Sequence, residues 1–264
     1  MLPDPIFWKV HMYGVMVAVG ILAAVLMLFY GCKKKGVEEK FVDFLFYNSI
    51  GSIAIGMGSA ALFQAIYDYI KTGIFDLTAG LTFIGGLIGG SVTFLASYFI
   101  FRKRYTSKLL DVLSILPVCI AVGHAFGRIG CFFAGCCYGK ETDCFLGVKF
   151  PNLSSTVHPT QLYEATFLFI LFAVMFYLVM KKNFRHNLSV YLICYGIFRF
   201  SLEFLRGDNR GEFVSGITPS QFWSLCMIVI GIALVLFLHF VFPVRKDEKT
   251  AEENDPPETN NVEN

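Results

Sequence analysis

The sequence predicts an all-α fold, a polytopic membrane bundle of seven transmembrane helices. Of its 264 residues, 55% are hydrophobic and 16% are charged, whereas soluble domains average roughly 45–50% and 25%. The apolar residues gather in runs of about 20, the length that crosses a bilayer as a helix. The net charge is only +2, and the cations form short clusters instead of one basic face, which excludes a nucleic-acid partner.

The apolar runs give the order of the predicted spans, at residues 13–31, 43–67, 79–101, 112–134, 161–180, 188–205 and 218–242. The first run is predicted to be a retained span and not a secretory signal, because Lys33, Lys34 and Lys35 follow it instead of preceding it.

The Lys and Arg residues predict the orientation. Fourteen of the 22 fall in the loops after the first, third and fifth spans and at the start of the tail, and six fall on the opposite side. Because cytoplasmic loops accumulate Lys and Arg, the N-terminus is predicted outside and the C-terminus in the cytoplasm. Residues 245–264 are acidic and are predicted to form a disordered cytoplasmic tail after a membrane domain of residues 1–244.

Ionisable residues are expensive inside a bilayer and therefore indicate a functional site. The predicted spans carry five such candidates: His124 and Arg128 in the fourth, Glu164 near the start of the fifth, and Arg199 and Glu203 in the sixth. Tyr195, Arg199, Glu203 and Arg206 are spaced by four, four and three residues, so they are predicted to share one helical face. An Arg199–Glu203 ion pair that only ties helices together is the structural alternative.

The fourth span repeats the pattern, with His124 and Arg128 one turn apart. The arginines of the two spans outnumber the carboxylates beside them, and the guanidinium group matches phosphate oxygens well. We therefore expect an anionic phospholipid head group to bind between the two spans.

The stretch from His158 to Glu164 is polar and lies where an outer loop meets the fifth span. Pro159 is suited to the start of a helix, and Thr160 can cap that helix. Glu164 would be stabilised by the positive end of the helix dipole. Helix capping leaves His158, Gln161 and Tyr163 without a structural task, so these three are predicted to bind substrate.

Closely spaced glycines in the third span, from Gly85 to Gly90, are typical of close helix packing. Packing is the preferred interpretation for Gly89 and Gly90, whereas Gly85 and Gly86 are kept as substrate-binding residues.

Eight cysteines occur, and four of them follow the fourth span: Cys131, Cys136, Cys137 and Cys144. Two states of these cysteines are considered. Cys144 could form a disulfide bond with Cys136 or Cys137, or the thiols could stay reduced and serve only in packing. Their spacing lacks paired C-x2-C elements, so the sequence predicts no metal and no cofactor. A thiol–disulfide protein is a weaker functional alternative.

Several motifs together resemble the prolipoprotein diacylglyceryl transferase family. They are His11-Met12-Tyr13-Gly14, Phe83-Ile84-Gly85-Gly86-Leu87-Ile88-Gly89, Gly127-Arg128-Ile129-Gly130-Cys131-Phe132, His158 to Glu164, and Tyr195-Gly196-Ile197-Phe198-Arg199 with Glu203-Phe204-Leu205-Arg206. The resemblance covers about residues 7–242.

The resemblance implies an enzyme that transfers the diacylglyceryl group of phosphatidylglycerol to a lipobox cysteine thiol of a preprolipoprotein. The reaction forms a thioether and releases glycerol phosphate at the outer face of the bacterial inner membrane. Arg128 and Arg199 would hold the phosphate, Tyr13 and Tyr195 would orient the lipid, and Glu203 would fix an arginine. The family motifs also place Gly127 and Gly130 at the substrate.

Three departures from the family motifs leave the general base unassigned. Ile84 occupies a histidine position, Cys131 an asparagine position and Cys136 a glutamate position. His124 and His158 are the histidines available as a replacement base, and His124 is the better placed because it lies one turn from Arg128. The alternative is a non-catalytic lipid- or lipoprotein-binding paralogue that kept the anion site.

Overall fold

The structure is a computed structural model that describes residues 11–78, 80, 82–151, 153–182, 184, 186–207 and 216–241, without the side chains of residues 83, 84 and 241. The predicted disordered tail, residues 245–264, lies outside the described residues, as do residues 1–10.

Eight α-helices make up most of the described chain. They are α1 Met12–Lys34, α2 Glu39–Thr72, α3 Phe83–Phe101, α4 Leu109–Leu113, α5 Leu116–Phe133, α6 Thr160–Lys181, α7 Asn187–Leu202 and α8 Pro219–Val241. Six of them, α1, α2 and α5 to α8, are long and apolar enough to cross a membrane. The predicted polytopic helical membrane protein is confirmed. The count of seven spans and the sidedness stay predictions.

The fourth predicted span, residues 112–134, differs from the structure at its start. The chain forms the short helix α4, leaves it at Ser114, and starts α5 at Leu116 with Pro117 in the first turn. Proline lacks a backbone N–H group and restricts the residue before it, so it begins a helix more readily than it continues one.

Long helices pack in neighbouring pairs: α1 on α5, α2 on α3, α5 on α6, and α7 on α8. Gly20 of α1 meets Gly123 of α5 so closely that a Cβ atom on Gly20 would lie 2.9 Å from the Gly123 carbonyl oxygen. Small residues at such a crossing let two backbones approach, which is how helices associate where lipid removes the hydrophobic driving force. This contact fixes α1 against the helix that carries His124 and Arg128.

The segment between α5 and α6 folds back over the end of the bundle. It contains a two-stranded antiparallel hairpin, β1 Val148–Lys149 and β2 Thr156–Val157. Gly139 forms a bridge with Arg206, and the Lys140 N–H donates to the Leu205 carbonyl at 2.8 Å. The segment therefore links the end of α5 to the chain that leaves α7.

Candidate active site

Glu164 lies at the centre of a buried polar cluster between α5, α6 and α7. Its side chain is 1% exposed. Its Oε1 atom is 3.1 Å from Nε of Arg128 and 3.7 Å from Nε2 of His124. The same oxygen accepts a hydrogen bond of 2.6 Å from the Tyr195 hydroxyl. A buried carboxylate needs this many partners because it has lost the solvation of water.

His124 is held on both sides of its ring. Nε2 is 3.3 Å from the Nε atom of Arg128, which donates to it, and Nδ1 is 3.3 Å from the Tyr191 hydroxyl. Since Nε2 accepts a hydrogen bond, a neutral ring carries its proton on Nδ1. Nδ1 then donates a hydrogen bond to the Tyr191 hydroxyl. Tyr191 in turn stacks on Tyr195, with ring centroids 5.5 Å apart. The imidazole thus helps to orient Arg128.

Arg199 and Glu203 form the ion pair that was the structural alternative for their four-residue spacing. Nη1 of Arg199 is 2.9 Å from Oε2 of Glu203, and both side chains are buried. Although these two atoms are close, the N–H group does not point at the oxygen, so they form an ion pair without a hydrogen bond. Neither atom makes a hydrogen bond with another described residue. The second oxygen of Glu203 accepts from the Thr218 hydroxyl at 3.1 Å. Tyr195 lies one turn before Arg199 on α7 and donates to Glu164, so the two ion pairs are neighbours.

The cluster can bind an anion. Arg128 and Arg199 are each paired with one carboxylate, Glu164 and Glu203. A donor of Arg199 is buried without an aligned acceptor. Guanidinium groups remain charged when desolvated and bind phosphate through two parallel hydrogen bonds. The arrangement therefore fits a phosphate group.

Arg206 is not on the helical face that the sequence predicted. α7 ends at Leu202, a 3₁₀ turn follows over Glu203–Leu205, and Arg206 is extended, with φ −81° and ψ 142°. Its guanidinium donates a hydrogen bond to the Cys137 sulfur. The prediction assumed a continuous helix and was wrong here because the helix ends before Arg206 is reached.

Thr160 does not cap its helix, contrary to the prediction. Pro159 is the N-cap and has no capping hydrogen bond, whereas the Thr160 hydroxyl donates to the Cys137 carbonyl at 2.8 Å. Gln161 likewise donates from Nε2 to the Cys136 carbonyl.

His158 and Tyr163 contact each other instead of the helix end. Nδ1 of His158 and the Tyr163 hydroxyl are 3.2 Å apart. The start of α6 thus carries polar side chains that fix the loop after α5. Substrate binding by His158, Gln161 and Tyr163 stays a prediction.

Tyr13 and the glycines of α5 lie together. The Tyr13 ring and carbonyl approach Gly130 so closely that a Cβ atom there would be 3.1 Å from the ring, and Tyr13 is half exposed. Gly127, by contrast, has open space where its side chain would be. The structure therefore brings Tyr13 and Gly130 to the same end of α5 as Arg128.

Gly85 and Gly86 pack against α2. A Cβ atom on Gly85 would lie 2.6 Å from the Phe63 side chain, and one on Gly86 would lie 3.3 Å from Ala60. The Ser59 hydroxyl donates to the Gly85 carbonyl at 2.9 Å. Close helix packing accounts for both glycines, and their role at the substrate stays a prediction. The side chain of Ile84 lies outside the described part of the chain.

Three of the four outer cysteines meet at the end of α5, and Cys144 lies apart and exposed. All four are free thiols, so the bridge considered for Cys144 is not formed. Cys131 forms a hydrogen bond with the Cys137 sulfur and Arg206 stands beside it, and together they hold the pKa of the Cys137 thiol well below its ordinary value. Burial raises the pKa of the Cys136 thiol.

The sequence marked Glu164 as an ionisable residue of a predicted span and as suited to the helix dipole, but it was not assigned a role at the substrate. Tyr191 was missed. Tyr191 continues the four-residue spacing of Tyr195 and Arg199 by one turn, and extending that spacing would have found it.

Comparisons with known proteins identify the family. Residues 5–237 match the family model of prolipoprotein diacylglyceryl transferase. The chain is 38% identical to the phosphatidylglycerol–prolipoprotein diacylglyceryl transferase of Clostridium tetani, over 91% of this chain and 95% of that protein. It is 35% identical to the Coxiella burnetii protein of the same name, over 84% of this chain and 88% of that protein. With its motifs matched along nearly the whole helical bundle, the chain belongs to the prolipoprotein diacylglyceryl transferase family.

Proposed function

We propose that this protein transfers the diacylglyceryl group of phosphatidylglycerol to the lipobox cysteine thiol of a preprolipoprotein. The observation that carries the proposal is the buried cluster of two arginine–glutamate pairs around Tyr195 and His124, described above. Such a cluster is expensive to bury, and it leaves a buried donor of Arg199 without an aligned acceptor. An anionic phosphate is the ligand that would complete it.

Arg128 and Arg199 hold the phosphate of the lipid in this proposal. As the bond from the glycerol carbon to the phosphate oxygen breaks, negative charge grows on the departing glycerol phosphate. Fixed guanidinium groups in a water-poor site stabilise that charge without having to reorganise. Glu164, held by Tyr195, and Glu203 orient the two arginines. The nucleophile is the thiol of the acceptor, so the chain needs no nucleophile of its own.

The proposed location is the bacterial inner membrane, with the cluster toward the outer face and membrane lipids around the helices. The bias of Lys and Arg toward alternate loops supports this orientation. The half-exposed Tyr13 beside Gly130 is suited to contact the lipid, because an aromatic ring with a hydroxyl group prefers the membrane interface.

The test is a transfer assay on purified full-length protein with phosphatidylglycerol and a lipobox peptide, read by mass spectrometry of the peptide cysteine. Arg128→Ala is expected to lower the rate by about 1,000-fold or more, because it removes a charged donor from the departing group. Arg104→Ala, an exposed arginine in the turn after α3, is the matched control and should keep the parent rate.

Unchanged transfer by Arg128→Ala would refute the site assignment. Phosphatidylglycerol bound by the parent protein without any peptide adduct would instead favour the non-catalytic paralogue, in which the anion site is kept and the chemistry is absent.

A further inference from the structure

The thiols of Cys131, Cys136 and Cys137 form a compact group at the end of α5. Their three sulfur atoms all lie within 4.8 Å of one another. Cys131 and Cys137 are partly exposed and Cys136 is exposed. The proposed roles of Arg128 and Arg199 make no use of this group.

A motif at the C-terminal end of α5 explains why these three cysteines lie together. The Gly135 N–H donates to the Phe132 carbonyl at 3.1 Å, and the Cys136 N–H donates to the Cys131 carbonyl at 3.2 Å. The backbone of Gly135 has the left-handed conformation, with φ +70°. This is a Schellman motif, which normally brings two apolar side chains together across the helix end. Here the facing residues are Cys131 and Cys136, and Cys137 follows directly.

The start of α6 fixes the backbone of this loop. Thr160 and Gln161 donate to the carbonyls of Cys137 and Cys136. Gln161 is 1% exposed, and its Oε1 atom makes no hydrogen bond with any described residue. These hydrogen bonds fix the backbone that carries Cys136 and Cys137 without using their sulfurs.

Three sulfurs so placed match a thiophilic metal ion. A zinc–sulfur bond of about 2.3 Å in a tetrahedral site separates its sulfurs by about 3.8 Å. Each sulfur would move by about 0.6 Å or less to reach that separation. A divalent cation with three thiolates carries a net charge of −1, and Arg206, whose guanidinium donates to the Cys137 sulfur, offsets that charge.

An open cavity adjoins two of the three cysteines. A cavity of about 690 Å³ is lined by Cys136 and Cys137 together with the backbone-rich segment Tyr138–Glu141. Zinc sites with three protein ligands and one open position bind and activate a substrate atom there. A thiolate is the preferred ligand of such a soft cation.

We infer that Cys131, Cys136 and Cys137 bind one thiophilic divalent cation, Zn²⁺ in type, whose open position takes the acceptor cysteine as its thiolate. The identity of the acceptor rests on the proposed function. On binding, the sulfur–metal bond forms and the thiol proton passes to water in the cavity, with no change of oxidation state. The carbon–sulfur bond then forms as the carbon–oxygen bond breaks, and that electron pair leaves with glycerol phosphate.

The first experiment measures the metal directly. Full-length protein is purified in detergent with a non-chelating reductant, equilibrated with Zn²⁺, desalted and analysed by mass spectrometry of the elements. About one zinc per chain is expected. Cys131→Ser, Cys136→Ser and Cys137→Ser should each lose it, whereas Cys144→Ser in the same loop should keep it. Zinc-free reduced parent protein, or a disulfide among the three cysteines under these conditions, would overturn the inference.

The second experiment tests the open position without relying on turnover. Cobalt replaces zinc, and the sulfur-to-cobalt charge-transfer absorption is recorded while a lipobox peptide is added. The cysteine peptide should change the spectrum, and the same peptide with serine in place of cysteine should not. No response to the cysteine peptide would overturn the acceptor role. A response without any diacylglyceryl adduct would support the metal site and count against the proposed function alone.

Discussion

Glu164→Gln tests whether the buried carboxylate orients Arg128 through its charge. The replacement keeps the shape of the side chain and an oxygen that can still accept from Tyr195. It removes the negative charge that lies 3.1 Å from the Arg128 Nε atom. Breaking a buried ion pair by removing one partner destabilises a protein by about 3–5 kcal/mol. The Arg128 side chain is 21% exposed and regains some water, so we expect a loss of about 2–3 kcal/mol here.

The assay pairs thermal unfolding in detergent, at one fixed scan rate, with the transfer rate. We expect a lower unfolding midpoint and transfer at least about 100-fold slower, the effect of misplacing one charged donor at the departing group. Glu39→Gln is the matched control. Glu39 is exposed in the first turn of α2, so the same chemical change should leave both readouts near those of the parent protein.

A parent-like midpoint and rate in Glu164→Gln would refute the reasoning, since the carboxylate would then contribute no charge to the site. A double-mutant cycle sharpens the test. If the two side chains interact, Glu164→Gln combined with Arg128→Met should be less destabilised than the sum of the single variants.

Two further changes probe the hydrogen bond to the carboxylate and the helix contact behind the site. Tyr195→Phe should destabilise the protein by about 1.5–3 kcal/mol and slow transfer, because Glu164 loses a charged hydrogen bond; unfolding and rate measurements check this. Gly20→Ala should lower the unfolding midpoint, because its new Cβ atom would lie 2.9 Å from the Gly123 carbonyl. Gly14→Ala in the same helix has nothing within 4 Å and should leave the midpoint unchanged or raise it.

Most of the helical architecture could be predicted from the sequence, because hydrocarbon leaves a chain few choices. A spanning segment must satisfy its backbone internally, so a long apolar run becomes a helix. Six such helices appear where the runs predicted them. The break at Pro117 and the end of α7 at Leu202 were missed, since composition alone does not report where backbone hydrogen bonding stops.

The residues of the site could be predicted in part. His124, Arg128, Arg199 and Glu203 were identified because charge inside a membrane is expensive, and the structure brings all four into one cluster. The Arg199–Glu203 pair follows from its four-residue spacing, but contacts between different helices could not be assigned in that way. Glu164 meets Arg128 only because α6 packs on α5.

The sequence by itself determined the membrane class, the order of the helices and the charged residues that lipid would not tolerate. These are properties of single segments, fixed by the free energy of moving each segment out of water. The tertiary structure alone decided which carboxylate faces which arginine and that Arg206 turns toward Cys137. It also decided that the thiols of Cys131, Cys136 and Cys137 converge. These depend on how helices pack and where they end, because a contact between distant residues exists only after the backbone has placed both of them.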